Sequence, residues 1–380
     1  MTDRLFPEQL LNSSKRESLS YFNNEVRIQH RIIKMVLDKV MEKINCPGDK
    51  NMIFIIGPTG VGKTMLCKKI VHEVNLLYED LLETNFNVIP VICLAASAAS
   101  KGNFSFKQLY KSILEAAQEP LIDYKIAPNG KMGSEEALLE AAKSCIKNRE
   151  IKVVIIDEAQ HIAKVTSSRK VRDQLETLKS FIDNTEAVFV LSGTYNLNSC
   201  FTPSGQINRR SAICHFSRYR KGQKVDVDKE EGKKETIDEY DEFVNIVKNF
   251  ELRIPITKKP NFDKSYEYIY ARSVGCIGLL KDWLYDALKK ALSAGSDTIT
   301  TEHLEQTALE IKRCLTIARE AIEGEQYLEN LMQDDDELYN MLQINTNTNK
   351  EINANTNINS QNGKPGNRSP KRDSVGADVG

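Results

Sequence analysis

No stretch of this sequence stays apolar over the roughly 20 residues that a membrane-spanning helix requires, which excludes a chain held in a bilayer by helices. The first twenty residues, MTDRLFPEQLLNSSKRESLS, lack the apolar centre of a secretory signal, so a reduced, cytoplasmic setting is expected. Cysteine is present but unpaired in pattern. Cys46, Cys67, Cys93, Cys145, Cys200, Cys214, Cys276 and Cys314 are scattered, with no CxxC spacing. Cys214–His215 comes nearest to a metal pair and has no partners at ligand spacing, so neither a disulfide framework nor a zinc site is expected. Net charge is lacking too. The 52 Lys and Arg nearly cancel the 53 Asp and Glu, leaving a formal charge of -1. A histone-like, wholly basic partner of nucleic acid is thereby excluded, whereas a local basic surface is not, because a sum hides asymmetry. No internal repeat is present, which removes the solenoid folds.

The chain does have enough apolar residues for a sizeable core: 41% of its 380 residues are hydrophobic. That length predicts two or three domains. Five short apolar runs read as strands, at 52–56, 88–94, 152–156, 187–191 and 213–217. Helical patterns separate them, at about 63–80, 104–118, 134–148 and 170–184. Such alternation predicts a parallel α/β sheet. Before the first strand, Val26, Ile28, Ile32, Ile33, Val36, Leu37 and Val40 fall roughly on one helical face. After the fifth strand, SRYRKGQKVDVDKEEGKKET (217–236) has few apolar residues and reads as a charged loop or linker. Helical patterns then cover 236–250, 263–273, 276–293 and 301–323. The segment GEQYLENLMQDDDELYNMLQ is acidic and reads as a solvated helical tail, or as a short docking helix. Nine Asn fall within 343–380, with almost no large apolar residue. Such a segment cannot bury enough surface to offset its ordering entropy and is expected to be disordered. The expected divisions are 1–45 (N-terminal helices), 46–225 (α/β core), 226–323 (helical lid with its charged linker), 324–342 (acidic tail) and 343–380.

Residues 57–64 read GPTGVGKT and satisfy GxxxxGK[ST] between a buried strand and an amphipathic helix. Gly57, Gly60 and Gly62 let the backbone curl, so that the N–H groups of Gly57, Thr59, Val61 and their neighbours face phosphate oxygens. Pro58 belongs to the same expected nucleotide-binding loop. The helix N-terminus adds a favourable dipole. Lys63 would reach the β- and γ-phosphates, and Thr64 would ligate Mg²⁺.

KVVIIDEAQH (152–161) supplies the second element. Four apolar residues lead to Asp157 and Glu158 at a strand C-terminus, the ligand edge of an open α/β sheet. Two carboxylates there are costly without a metal or partner. Asp157 would hold Mg²⁺ through its water shell, and Glu158 would polarise the attacking water. The following strand ends in SGTYN, offering Ser192, Thr194 and Asn196 as a polar sensor, with Thr194 the first choice; ordinary turn chemistry is the alternative. Arg209 and Arg210 precede the fifth strand and could stabilise transition-state charge at a neighbouring subunit's site, or form a surface pair. Lys281 lies in the first turn of a helix, where the dipole does not favour a cation; a phosphate-facing role and a snorkelling surface lysine are both open.

Taken together, GPTGVGKT, VVIIDEAQH, LSGT, QINRR and the GxxGxLKDWL-type helix resemble an AAA+ ATPase, and within that class the TnsC/TniB branch of transposition regulators, over about residues 20–320. The resemblance implies a five-stranded parallel sheet in the order 5-1-4-3-2 with a small helical lid, and ATP and Mg²⁺ as cofactors. It also implies ATP-dependent homo-oligomeric rings or filaments on duplex DNA, bridging a target-selection protein to a transposase without cutting DNA. Two loops after strands carry suitable cations: Lys101 and Lys107 in one, Lys164, Arg169, Lys170 and Arg172 in the other. With few aromatics there, contacts would go to the phosphate backbone and be nearly sequence-independent. At a net charge of -1, tight binding would require assembly that repeats a few contacts per subunit. Competing readings are a replication initiator or loader, a secretion-associated ATPase and a signalling NTPase. The first would normally append a winged helix, and none is evident after residue 320.

Overall fold

The computed structural model describes residues 4–97, 104–120, 133–163, 168–200, 211–228, 234–333 and 341–342. Five strands form one parallel sheet: β1 (Met52–Ile56), β2 (Val91–Ala95), β3 (Val153–Asp157), β4 (Val188–Gly193) and β5 (Ser211–His215). Their order is β2-β3-β4-β1-β5, the implied order read from the opposite edge. The P-loop strand is thus central, with Ile56 paired to Gly193 on one side and His215 on the other.

Why the strands read as unbroken apolar runs is clear from their burial. Every residue of β1 and β3 is buried, as expected when helices cover both faces of a parallel sheet. Successive side chains alternate between those faces. Ile53 and Ile55 join a core with Ile33, Val36, Leu66 and Ile70, from helices α2 (Arg31–Asn45) and α3 (Lys63–Leu77). Met52, Phe54 and Ile56 join the opposite core. That second core includes Tyr110, Leu138 and Phe181, from α5 (Phe106–Ala116), α6 (Glu135–Asn148) and α7 (Ser168–Asp183). A short α4 (Glu79–Thr84) follows α3. Ser105 and Ser134 cap α5 and α6 by accepting backbone N–H groups, which fixes where those helices begin.

Several boundaries differ from the sequence expectation, each for a physical reason. β2 begins at Val91, three residues late, because Pro90 has no N–H to give the ladder; its carbonyl instead accepts the Lys152 and Val153 amides. The N-terminal apolar stretch is two elements. α1 (Lys15–Asn24) starts with a capping box at Ser14 and Glu17, and α2 starts after His30, whose ring accepts the Ile33 amide. Val26 lies between them and is still buried.

The charged stretch after β5 is not a loop. It contains an antiparallel hairpin, β6 (Lys224–Asp228) and β7 (Lys234–Asp238). Val225 opposes Ile237, and Lys224 opposes Asp238. Opposite charges across the ladder support pairing, so a run that looked merely solvated carries a period-2 pattern. Asp238 then caps α8 (Glu239–Arg253) through the Tyr240 amide.

The helices after the hairpin are α8, α9 (Tyr266–Ser273), α10 (Ile277–Ser293), α11 (Thr301–Thr307) and α12 (Ile311–Gln333). The expected helix at 301–323 is therefore two helices, and the second continues through the expected boundary at 323. Its Ala321 and Leu328 are fully or almost fully buried in the same core as β3 and β4, and Glu325 is also buried. The start of the acidic segment is thus packed, which corrects the expected solvated tail. The described residues up to Leu328 form one compact unit, from which those after it are separate. Residues 334–340 and the Asn-rich 343–380 lie outside the described residues. No helix among the described residues is long and apolar enough to cross a membrane.

Candidate nucleotide-binding site

β1 delivers the chain to Gly57 between Gly193 and Phe216. A side chain at Gly57 would meet the Phe216 carbonyl oxygen at 2.2 Å, so only glycine fits that close approach. Gly60 and Gly62 have φ of 77° and 112°, left-handed values that L side chains avoid. α3 starts at once with Lys63. Its ammonium is buried and donates to the carbonyls of Gly57 (2.9 Å) and Pro58 (2.8 Å). Burial lowers its pKa, while the charges of Asp157 and Glu158 oppose that fall. This is a cation held by the loop it would share with phosphate.

The acidic strand end meets this loop directly. Thr64 Oγ1 donates to Asp157 Oδ2 at 2.7 Å. Asp157 Oδ1 accepts the Ser192 hydroxyl at 3.0 Å and the Glu158 amide at 3.0 Å. Two hard oxygen ligands, Thr64 Oγ1 and Asp157 Oδ2, therefore lie side by side at a helix N-terminus. That donor set fits Mg²⁺, and the glycine-lined loop fits a phosphate chain.

Glu158 takes φ 55°, a left-handed conformation uncommon for a residue of this type. Strain of this kind persists where neighbours hold it. Here the Gln160 amide nitrogen donates to Glu158 Oε2, and Gln160 Oε1 accepts the Thr194 amide at 3.2 Å. A Cβ at Gly193 would lie 2.6 Å from Gln160 Oε1, so that glycine leaves room for the link. Gln160 was not among the expected site residues. Its only signal is its place two residues after the carboxylate, on the one-turn helix Gln160–Ala163.

The expected residues fall into three groups. Gly57 to Thr64, Asp157 and Glu158 come together. Of the polar sensor candidates, Ser192 reaches Asp157 with its hydroxyl, whereas Thr194 enters through its backbone; its Oγ1 is buried without a hydrogen-bond partner.

Lys281 is the expected residue that the structure places elsewhere. Its ammonium donates to the Asn23 carbonyl at the end of α1, at 2.9 Å, and burial with nearby Arg27 pushes its pKa down to about 8. The lid meets the P-loop through other residues of α10. Leu279 N–H donates to the Gly60 carbonyl at 3.0 Å, and a Cβ on Gly278 would lie 2.4 Å from that oxygen. Lys281, two positions after Leu279, is on the opposite side of a 3.6-residue turn.

Among the remaining cations, Arg172 pairs with Glu176 on the exposed face of α7, at 3.0 Å, and Lys107 lies in the first turn of α5. Arg169 and Lys170 fall within α7. Lys101, Lys164, Arg209 and Arg210 lie outside the described residues.

On the far side of the P-loop, the N-terminal segment is tied to the lid. Arg31 bridges Glu239 (2.9 Å) and Glu242 (2.8 Å). Tyr219 Oη and His30 Nδ1 share a hydrogen bond at 3.1 Å. Burial, with Lys69 and Arg31 nearby, pushes the His30 pKa down to about 4.

The sheet order and the loop that follows its central strand are those of the AAA+ P-loop fold. Residues 46–201 match the family model described as "AAA domain". Among solved structures, the chain is similar to the Aeropyrum pernix ORC1 protein in complex with DNA, at 14% identity and a TM-score of 0.51, covering 78% of this chain and 70% of that one. It is also similar to the Aeropyrum pernix ORC2 protein (14% identity, TM-score 0.49, covering 76% and 70%). Drosophila ORC bound to DNA gives 13% identity and a TM-score of 0.47, covering 81% and 68%. A search of curated proteins finds no match.

Proposed function

We propose that this protein is an ATP-dependent switch that assembles on duplex DNA and regulates transposition, bridging a target-selection protein to a transposase. One observation carries the hydrolytic part: Thr64, Asp157, Ser192, Glu158 and Gln160 form a continuous hydrogen-bonded chain at the mouth of the P-loop. Lys63 and the loop amides would hold the phosphates of ATP, with Thr64 and Asp157 holding the metal. When bound, Mg²⁺ supplies charge neutralisation on the phosphates. Glu158 accepts a proton from the attacking water, and Gln160 and Ser192 hold the two carboxylates in place. The trans-acting cation falls to Arg209 or Arg210, and Lys281 has no part in phosphate binding.

The transposition part is supported by the DEAQH form of the acidic motif and by the paired lid glycines, Gly275 and Gly278. The DNA part is supported by the cations Lys101, Lys107, Lys164, Arg169, Lys170 and Arg172, which follow the second strand and the acidic strand in the sequence. A replication initiator or loader is the second reading, favoured by the shared fold with an ORC1 protein solved on DNA.

The test is electron microscopy of the full chain with duplex DNA, with and without a non-hydrolysable ATP analogue. Nucleotide-dependent rings or filaments on DNA are expected. Absence of DNA association at low salt in every nucleotide state would overturn the proposal. Adding transposase separates the two readings: it should shorten the life of the assembly by triggering hydrolysis, and an initiator would not respond.

A further inference from the structure

Helix α12 carries a glycine in its interior, Gly324, where glycine is among the least favourable residues. The reason lies opposite it. A Cβ added at Gly324 would collide with the Tyr195 ring, so the helix backbone rests directly on that ring. Tyr195 opens a 3₁₀ turn, Tyr195–Cys200, and only Thr194 separates it from the end of β4.

Further contacts fix α12 against this turn. The phenol of Tyr327 donates to the Asn198 carbonyl at 3.4 Å. Ala321 and Leu328 join the same buried core as Leu197 and Cys200. Glu325 pairs with Arg218, just beyond the end of β5, at 3.0 Å, and both side chains are mostly buried. The Tyr195 phenol shares a hydrogen bond with His215 Nε2, at that strand end, at 2.9 Å. Burial, with Glu325 nearby, raises the pKa of this phenol, so it keeps its proton at neutral pH. The ring is thus held between α12 on one side and β5 on the other.

The same turn touches the residues assigned to hydrolysis. Leu197 N–H donates to the Thr194 carbonyl at 3.0 Å, which closes the turn on that residue. A Cβ added at Gly193 would lie 2.6 Å from Gln160 Oε1 and 2.7 Å from Leu197 Cδ1, so Gln160 and Leu197 flank one glycine. The Thr194 N–H is the group that Gln160 Oε1 accepts, and Gln160 donates to Glu158. Direct contacts therefore run from Gly324 through Tyr195 and Thr194 to Gln160 and Glu158. Glu158 needs such support, because its left-handed backbone persists only where neighbours hold it.

We propose that residues 321–328 of α12 position the water-activating carboxylate, with Gly324 as a positioning residue that acts through Tyr195. The proposal rests on the role given to Glu158 above. A shift of the Tyr195 turn moves the Thr194 amide and, through Gln160, the Glu158 carboxylate, and a misplacement of about 1 Å can cost about 10²-fold in rate. Phosphate binding stays with the P-loop, so α12 governs the chemical step and leaves nucleotide affinity alone. The start of the segment that the sequence presents as an acidic tail is then a support of the hydrolytic site.

The experiment is a double-mutant cycle on the full chain, read by steady-state ATPase kinetics and by affinity for a fluorescent ATP analogue. Gly324→Ala drives a methyl group into the Tyr195 ring. It is expected to lower kcat about tenfold, with KM and analogue affinity within about twofold of wild type. In a Gln160→Leu background, where the link to Glu158 is already cut, the same change should lower kcat by less than about twofold. An equal fall in both backgrounds overturns the proposal, and so does wild-type turnover in Gly324→Ala or a loss of analogue affinity in place of the fall in kcat. If Gly324→Ala does not fold, Tyr327→Phe, which adds no volume, carries the comparison with an expected fall of about threefold; no fall, or the same fall in both backgrounds, overturns the proposal. Glu158→Gln separates the two claims. If it turns over like wild type, the reading of Glu158 fails and takes the proposal with it. If it is inactive and the cycle is additive, the proposal fails alone.

Discussion

The side-chain amide of Gln160 donates to the carboxylate of Glu158 and, through its oxygen, accepts the N–H of Thr194. One buried side chain thus ties the residue assigned to water activation to the end of β4. Gln160→Leu keeps the volume and removes both bonds. The expected result is a fall in kcat of about tenfold, near the worth of one hydrogen bond to a charged group, with KM for ATP little changed. Glu158→Gln removes the base itself, and kcat should fall by about 10²–10⁴-fold while nucleotide binding persists and assemblies last longer. Steady-state ATPase kinetics with both variants check this; unchanged turnover in Glu158→Gln removes that residue from its role.

Lys63→Ala removes the only charge the P-loop carbonyls of Gly57 and Pro58 hold among the described residues. A charged hydrogen bond to phosphate is worth about 1.5–3 kcal/mol, so affinity for a fluorescent ATP analogue should drop at least about tenfold. Assembly should vanish with it. Wild-type assembly by Lys63→Ala would contradict the site.

Gly278→Ala places a methyl group 2.4 Å from the Gly60 carbonyl oxygen. Overpacking of this kind costs about 1–3 kcal/mol, and the lid must shift from the P-loop to relieve it. Denaturant unfolding and nucleotide affinity should both report a loss. Gly295→Ala is the control: its φ of +68° is strained, but nothing lies within 4 Å, so it should cost about 1 kcal/mol and leave nucleotide affinity alone.

The His30 imidazole is kept neutral by burial, with a pKa pushed from 6.5 down to about 4. The unfolded chain therefore takes up this proton before the folded one does. The stabilisation is complete above pH 6.5 and is lost as pH falls towards 4. That drop corresponds to about 3 kcal/mol. Urea midpoints measured from pH 7.5 to 4 should fall more steeply for wild type than for His30→Asn, which keeps a capping oxygen for the Ile33 amide without titrating. Parallel slopes would show that His30 does not control the acid side.

DNA binding should follow the number of phosphates that each subunit neutralises. The triple variant K164A/R169A/K170A is expected to weaken association with duplexes of any sequence alike. It should also reduce the slope of log K against log salt by about 0.9 for each phosphate left without its cation. Fluorescence anisotropy over a salt series with two unrelated duplexes measures both. An unchanged slope would place the DNA elsewhere.

Much of this molecule was legible in one dimension because the relevant signals are local. GPTGVGKT must curl, since three glycines and a following helix leave few alternatives, and VVIID must be a buried strand ending in acid. The alternation of apolar runs with helices gave a parallel sheet, and the likeness to a known class gave its order. Local patterns failed where a second partner decides. Val225 and Ile237 looked isolated in a charged stretch until the ladder brought them face to face. Lys281 carried the right charge but sits on the wrong side of its helix, and only the docking of α10 on Gly60 reveals which side that is. Gln160 looked like one more polar residue after a strand until β4 brought Thr194 within reach. The acidic run after residue 323 looked solvated because its burial depends on Tyr195, Asn198 and Arg218, which are more than a hundred positions away. The sequence alone determined the phosphate-binding loop, the acidic strand end and the fold class, because each is written in residues a few positions apart. Which sensor hydroxyl reaches Asp157, where the lid touches the loop and what α12 covers were decided by tertiary structure, because those contacts join residues that share no local pattern and meet only when the sheet is built.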